Sequence, residues 1–96
     1  MAGDRSYTDG EYIFREGESA EYAYIVKSGI IEITKISTRG EDVLVRLEPP
    51  SLFGEMALID GSPRSASARA KGDTIVTEVT STAFSQYIKR NPEAAI

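Results

Sequence analysis

A chain of 96 residues is long enough for one domain with a modest core and too short for two. Hydrophobic residues make up 41% and charged residues 27%, a balance typical of a globular domain and not of a disordered one. Acidic residues outnumber basic ones by 15 to 11, and the formal charge of −4 argues against direct contact with nucleic acid, which requires a basic face.

Histidine and cysteine are both absent from the sequence. A disulfide framework is therefore impossible, and zinc, haem and iron sites built on those residues are excluded. Nucleophile systems of the Ser-His-Asp and Cys-His types are excluded for the same reason. An enzyme made from the remaining residue types would have to work with carboxylates, lysines or hydroxyls alone.

Most of the chain shows the period-two alternation of apolar and polar residues that is typical of β-strands. Extended segments are predicted over residues 6–8, 12–15, 22–27, 30–36, 43–47, 65–70 and 74–80. Turns are predicted between them at Asp9-Gly10, Gly17, Gly29, the polar loop 37–42, Pro49-Pro50 and Lys71-Gly72-Asp73. Short strands with turn signals at intervals of roughly ten residues indicate a sandwich or a barrel.

The pattern changes to helical spacing after the last predicted strand. The apolar residues at intervals of three and four are Phe84, Tyr87 and Ile88. A helix is therefore predicted over about residues 82–91, with Ser81 or Thr82 as its N-cap. Pro92 ends it, because the residue before a proline avoids the α region.

The residues from Asn91 onward have the features of a helix N-terminus. Asn91 can serve as an N-cap, Pro92 suits the first helical position, and Glu93 would interact favourably with the helix dipole. We therefore expect the sequence to be a piece of a longer protein, cut where a further helix begins.

The segment 53–70, with the sequence FGEMALIDGSPRSASARA, behaves neither as a strand nor as a long helix. Gly54 permits close approach of the backbone to another group, and residues 55–59 suffice for one helical turn with free N-terminal amides. Arg64 lies at the start of the Ala/Ser strand, and a guanidinium there can form bidentate hydrogen bonds to a phosphate. The segment is therefore a candidate anion-binding site.

This segment resembles the phosphate-binding cassette of cyclic nucleotide-binding domains. The matching residues are Phe53-Gly54-Glu55, Ala57-Leu58 and Pro63-Arg64-Ser65-Ala66, and the resemblance extends to segments 9–17 and 24–29. It implies a mainly β fold, an eight-stranded jelly-roll barrel over about residues 6–80, with a short helix in the phosphate-binding loop and a C-terminal helix. Residues 1–96 would then form a single domain that lacks most of the family's flanking helices.

The resemblance also implies roles for the cassette, residues 54–66. Arg64 would neutralise the cyclic phosphate, and the Ser65 hydroxyl and the Ala66 amide would bond to its oxygens. Glu55 would accept a hydrogen bond from the ribose 2′-hydroxyl, since a carboxylate is only an acceptor. The implied ligand-binding set further includes Phe53, the amides of Gly54, Met56 and Ala57, and three apolar residues that would contact the base, Val45, Leu47 and Leu52.

Each of these residues also has an ordinary structural interpretation. Arg64 is a loop arginine if the cassette is disregarded, and Glu55 is a residue that favours a helix N-terminus. Ser65 could be an exposed strand serine. The three apolar residues could equally belong to the core, because apolar strand residues are interchangeable in sequence.

The sequence thus predicts a regulatory sensor domain that binds a cyclic nucleotide and has no catalytic activity or further cofactor. We expect cAMP to be favoured over cGMP, although Ser65 after the arginine suits either ligand. The alternative is a jelly-roll protein-interaction domain that has lost its ligand. Jelly-roll enzymes are a weaker alternative, because their metal sites rely on histidine.

Partners and location are predicted from the same observations. The longest uninterrupted apolar run, residues 22–26, is too short for a membrane span, and no leader pattern is evident. We expect no membrane segment in this chain, no direct nucleic-acid contact, and a cytoplasmic location that suits an intracellular ligand. The sequence does not identify the effector domain or protein.

Overall fold

One antiparallel sheet organises the part of the chain that the computed structural model describes, residues 3–90. Six strands and two helices follow one another as β1 (Asp4–Tyr7), β2 (Tyr12–Phe14), β3 (Tyr22–Ser37), β4 (Gly40–Leu47), β5 (Leu52–Phe53), α1 (Glu55–Asp60), β6 (Ser67–Thr80) and α2 (Ser81–Arg90). The prediction of a mainly β fold is confirmed.

Two long central strands, β3 of 16 residues and β6 of 14 residues, carry the sheet. They pair from Tyr22 opposite Thr80 to Thr34 opposite Ser67. The strand order is β1-β6-β3-β4, with β2 added to β6 and β5 added to β3. The sheet is not closed, so the expected eight-stranded barrel is corrected to six strands in an open sheet over the described residues.

Two predicted turns lie inside the long strands instead of between strands. Ser28 pairs with Ile75 and Ile30 pairs with Lys71, so Gly29 and residues 72–74 have no partners in the ladder between β3 and β6. These positions are β-bulges, which bend a strand without ending it. The glycines were correctly identified as unusual backbone positions, but the prediction that the chain turns at Gly29 and at 71–73 is wrong.

Smaller differences concern the connections. The predicted polar loop 37–42 is shorter in the structure, because the register of β3 and β4 closes with Ser37 opposite Gly40. Pro49 and Pro50 lie between β4 and β5, as the sequence predicts for a turn. The two-residue strand β5 was not predicted, and it pairs with Tyr24 and Ile25 of β3.

Three aromatic rings form the centre of the core beside α1. The ring centroids of Tyr24 and Phe53 are 5.4 Å apart, and Phe14 lies 5.9 Å from Tyr24 and 6.0 Å from Phe53. Such pairs contribute about 0.5–1.5 kcal/mol each beyond the burial of apolar area. Because Phe53 directly precedes the loop into α1, this cluster fixes the position of the helix against the sheet.

Helix α2 matches the predicted C-terminal helix, but its cap differs. The Thr80 hydroxyl accepts a hydrogen bond from the Ala83 N–H at 3.1 Å, so the cap residue is Thr80 and not Ser81 or Thr82. The predicted end at Asn91 and the further helix after it lie outside the described residues. Neither α1 nor α2 has the length and apolar character that crossing a membrane requires.

Candidate functional site

Gly54 joins β5 to α1 in a backbone conformation that suits glycine. Its φ is 77°, in the left-handed region. A Cβ atom there would lie 2.8 Å from Nη1 of Arg64 and 3.1 Å from the ring of Phe14. Glycine therefore permits two side chains to pack directly against the backbone at the start of α1, which the sequence analysis anticipated as a site of close approach.

Arg64 is buried beneath α1, with only 4% of its surface exposed. Its Nη1 donates to the Gly54 carbonyl and its Nη2 to the Tyr22 carbonyl, both at 2.6 Å. The guanidinium carbon lies 3.9 Å from the centroid of the Phe14 ring, within the range of a cation–π interaction. Burial lowers the pKa of Arg64, because desolvation disfavours its charged form.

Arg64 has no ion-pair partner within residues 3–90. The ion pairs of this part of the chain do not involve Arg64, and its Nε atom is buried without a hydrogen-bond partner. Burial of a cation whose side-chain hydrogen bonds go only to carbonyl groups is unfavourable. An anion close to the guanidinium would reduce that penalty.

The backbone of Arg64 is fixed on both sides by the loop between β2 and β3. Its N–H donates to the Glu18 carbonyl and its carbonyl accepts from the Gly17 N–H, both at 2.8 Å. The predicted turn residue Gly17 therefore takes part in holding the loop that carries the arginine. This link joins positions 47 residues apart in the chain (64 − 17), which local sequence patterns do not indicate.

A cavity of about 470 Å³ opens beside α1 and the Arg64 loop. This volume lies in the range of small-molecule sites. The predicted site residues that line it are Leu52, Phe53, Gly54, Glu55, Met56, Ala57, Arg64, Ser65 and Ala66. The structure thus brings the two ends of the predicted cassette, residues 54–57 and 64–66, to one cavity. Its further lining residues are Phe14, Ile33, Asp60, Ser62 and Pro63.

Val45 and Leu47, which the sequence analysis placed at the base, do not line this cavity. Val45 lies opposite Ile33 in the ladder and is 46% exposed. Leu47 lies opposite Ile31 and packs against the core. Ile33, one strand further in, lines the cavity instead.

Phe14 and Ile33 were therefore missed as cavity residues. Both belong to segments that were correctly predicted as strands. The sequence gives no signal that Phe14 would pack beneath the arginine, because β2 reaches the cavity through its pairing with β6. Long-range packing of this kind is not visible in local periodicity.

The turn between α1 and Arg64 is ordered by its own polar residues. Asp60 accepts hydrogen bonds from the Ser62 N–H at 2.9 Å and from the Ser62 hydroxyl at 2.5 Å. These bonds lower the pKa of the Asp60 carboxyl. The Gly61 N–H, at a φ of 72°, donates to the Ala57 carbonyl at 2.9 Å and ends the helix.

Comparisons with known proteins agree with this geometry. The family model described as the cyclic nucleotide-binding domain matches residues 4–91. A cAMP-dependent protein kinase regulatory subunit from Blastocladiella emersonii is 36% identical over 84 residues, which cover 86% of this chain and 21% of that protein. The cyclic AMP receptor protein of Thermus thermophilus is 36% identical over 92 residues, covering 95% of this chain and 43% of that protein.

Solved structures give the same result. The EAL enzyme Bd1971 superposes with a TM-score of 0.82 in its cAMP-bound form and 0.83 in its cGMP-bound form, at 34% identity. Each superposition covers 90% of this chain and 23% of the enzyme chain. This chain therefore spans less than half the length of each of these relatives. Its family match, its fold and its cassette show that it belongs to the cyclic nucleotide-binding domain family.

Proposed function

We propose that this domain binds cAMP, in preference to cGMP, as the regulatory module of a longer protein. In this proposal the cyclic phosphate lies between Arg64 and the amides at the start of α1, with the ribose at Glu55. The observation that carries the proposal is the buried guanidinium of Arg64, which lines the cavity and has no ion pair with residues 3–90.

An anionic ligand fits the charge of this cavity. The chain as a whole carries a net charge of −4, whereas this cavity contains a buried cation beside the free amides of a helix. The cavity therefore differs in charge from the chain as a whole. A phosphate can accept charge-assisted hydrogen bonds from the guanidinium and from backbone N–H groups together. The Arg64 Nε–H is a hydrogen-bond donor that is buried and has no partner. A hydrogen bond from it to a ligand would therefore not require an existing hydrogen bond to break.

The sugar and the base are assigned by position and chemistry. Glu55 follows Gly54 and lines the cavity, where its carboxylate can accept a hydrogen bond from a ribose hydroxyl. Leu52 and Ile33 offer apolar surface in the cavity. Val45 extends that surface outward, because it is the ladder partner of Ile33 and ladder partners share a face of the sheet. We place the base against this surface, with Leu47 behind it in the core.

The preference for cAMP rests on relatives and not on geometry. Two of the relatives are named for cAMP, whereas the EAL enzyme has been solved with either nucleotide. Binding would stabilise the competent conformation by about 2.7 kcal/mol at a hundredfold excess of ligand over Kd. In the longer protein this free energy would act on an effector in the cytoplasm. The domain itself would catalyse no reaction and would hold no further cofactor.

The test is calorimetric titration of the wild type, Arg64→Ala and Arg64→Lys with cAMP and cGMP. Hydrogen bonds to charged groups contribute about 1.5–3 kcal/mol each, so Arg64→Ala should nearly abolish binding and Arg64→Lys should retain part of it. Arg39→Ala is the matched control, since Arg39 is exposed in the β3–β4 turn. Unchanged affinity in an Arg64 variant that is folded by circular dichroism would contradict the assignment.

One observation favours the alternative of a domain kept for protein contacts. The β3–β4 hairpin exposes Ile36 at 69%, Leu44 at 59% and Val45 at 46%. Exposed apolar side chains of this size are found at interaction sites. Failure of the folded wild type to bind either nucleotide in the same titration would favour this alternative over the proposed function.

A further inference from the structure

The peptide between Ser65 and Ala66 is held from outside the cavity by Lys35. The Lys35 ammonium donates a hydrogen bond to the Ser65 carbonyl oxygen at 2.7 Å. Ser65 and Ala66 both line the cavity, whereas Lys35 does not. Lys35 follows Thr34 on β3, and the ladder partner of Thr34 is Ser67 at the start of β6. The lysine is thus beside the point where the cassette enters the sheet.

Peptide geometry transmits this contact to the other side of the backbone. The bond between Ser65 and Ala66 is trans, and in a planar trans peptide the C=O and the next N–H point in opposite directions. With the carbonyl turned toward Lys35, the Ala66 N–H is directed away from it. Among residues 3–90, neither this N–H nor the Ser65 hydroxyl has a hydrogen-bond partner.

Glu16 holds the lysine in place. Its Oε2 lies 3.3 Å from the Lys35 ammonium, its Oε1 accepts from the Ile36 N–H at 3.4 Å, and its own N–H donates to the Ser67 hydroxyl at 2.8 Å. An exposed lysine gains little from one such pair. Together, however, these contacts fix the ammonium relative to β3 and to the start of β6, where the cassette ends.

We propose that Lys35 is a positioning residue for the phosphate, because through the Ser65 carbonyl it aims the Ala66 N–H at one of the two exocyclic phosphate oxygens. This inference rests on the proposed function. Lys35 itself does not contact the ligand. Its positive charge would also attract an anion, but that attraction acts on both oxygens alike, whereas an oriented N–H acts on one.

The experiment compares cAMP with its two phosphorothioate diastereomers, in which sulfur replaces one exocyclic oxygen or the other. The proteins are the wild type, Lys35→Met, Lys35→Arg and Lys71→Met. Lys71 is an exposed lysine opposite Ile30, away from Ser65, so its variant controls for the loss of one positive charge. All affinities are measured by calorimetry at one salt concentration.

Lys35→Met should weaken cAMP binding by about three- to tenfold, the range of one ordinary hydrogen bond, and Lys35→Arg should restore it. The loss should persist with one diastereomer and nearly vanish with the one whose sulfur faces Ala66, since sulfur is a poor acceptor. In the free protein, Lys35→Met should also shift the amide resonance of Ala66, which Lys71→Met should not.

Two results would overturn the positioning role while leaving the proposed function intact. One is an affinity of Lys35→Met for cAMP equal to that of Lys71→Met. The other is an equal loss with both diastereomers, which would mean that the charge of Lys35 acts without orienting the peptide. A wild type that binds none of the three ligands would instead overturn the proposed function, and the positioning role with it.

Discussion

At the scale of single residues, the cassette combines buried and accessible polar groups. Arg64 is 4% exposed and is fixed at its backbone and its guanidinium, while Ser65 is exposed. A buried, fixed cation requires little reordering when an anion binds, because its conformational entropy has already been lost on folding. The exposed hydroxyl and Glu55 at the cavity wall can then adjust to the remainder of the ligand.

Glu55 gives the first prediction at this scale. If its carboxylate accepts a hydrogen bond from the ribose, 2′-deoxy-cAMP should bind the wild type more weakly than cAMP, by about 1–3 kcal/mol for a buried acceptor left unpaired. The deficit should be much smaller in Glu55→Gln and Glu55→Ala. Calorimetric titration of both ligands against the three proteins measures it, and equal deficits in all three would mean that Glu55 does not contact the sugar.

At the scale of elements, the bulges in β3 and β6 explain the shape of the sheet around the site. The strands pair on both sides of the unpaired residues, so a single pair of strands spans the sheet from the α2 end to the cassette. Gly29 permits the bulge in β3, since its φ is 87° and a Cβ there would lie 2.5 Å from the Asp73 carbonyl oxygen. Both conditions favour glycine.

Substitution of Gly29 should therefore destabilise the fold more than substitution of an open glycine. Gly10→Ala is the matched control, because Gly10 has a φ of 85° and would place its Cβ more than 4 Å from other atoms. The left-handed conformation costs roughly 1–2 kcal/mol in a residue with a Cβ, so Gly10→Ala should lose about that amount. Gly29→Ala should lose clearly more, as measured by urea unfolding, and equal losses would contradict the steric explanation.

The sequence predicts elements that depend on local patterns and fails where distant segments meet. The strands other than β5, the short helix after Gly54 and α2 follow from periodicity and turn residues, and the cassette follows from its motif. Gly29 and Gly72 were misinterpreted because a positive φ occurs in bulges as well as in turns. The packing of Phe14 under Arg64 depends on strand pairing, which no local signal specifies.

At the scale of the whole molecule, a polar network joins four strands on the face of the sheet opposite Ile31 and Ile33. Buried Glu32 of β3 forms ion pairs with Arg46 of β4 at 3.0 Å and with Arg69 of β6 at 2.9 Å. Arg69 also lies 2.6 Å from the carboxylate of Glu41. That carboxylate accepts further bonds from Tyr12 of β2 at 2.9 Å and Thr34 of β3 at 2.6 Å. The network therefore stabilises the packing of the edge strand β4 against the central strands β3 and β6.

This network makes the stability of the domain depend on pH. The hydrogen bond from Arg69 lowers the pKa of Glu32, and the bond from Thr34 lowers that of Glu41. A carboxyl with a lowered pKa binds protons less readily in the folded than in the unfolded state, where the pKa of Glu is about 4.3. The stabilisation is therefore complete above about pH 5 and is lost as the pH falls through the lowered values.

The corresponding variant is Glu32→Gln, which keeps the shape of the side chain and removes its charge. At pH 7 it should lower the free energy of unfolding by about 1–3 kcal/mol, because hydrogen bonds to a charged group are replaced by weaker ones. As the pH falls below 5 the difference from the wild type should shrink, since the wild-type carboxylate is also becoming neutral. Urea unfolding between pH 3 and pH 7 measures both effects.

Glu21→Gln, at an exposed glutamate without an ion pair in residues 3–90, controls for the loss of one carboxylate. A difference between Glu32→Gln and the wild type that stays constant over this range would show that the loss does not depend on the charge of Glu32 and that the network does not titrate with folding.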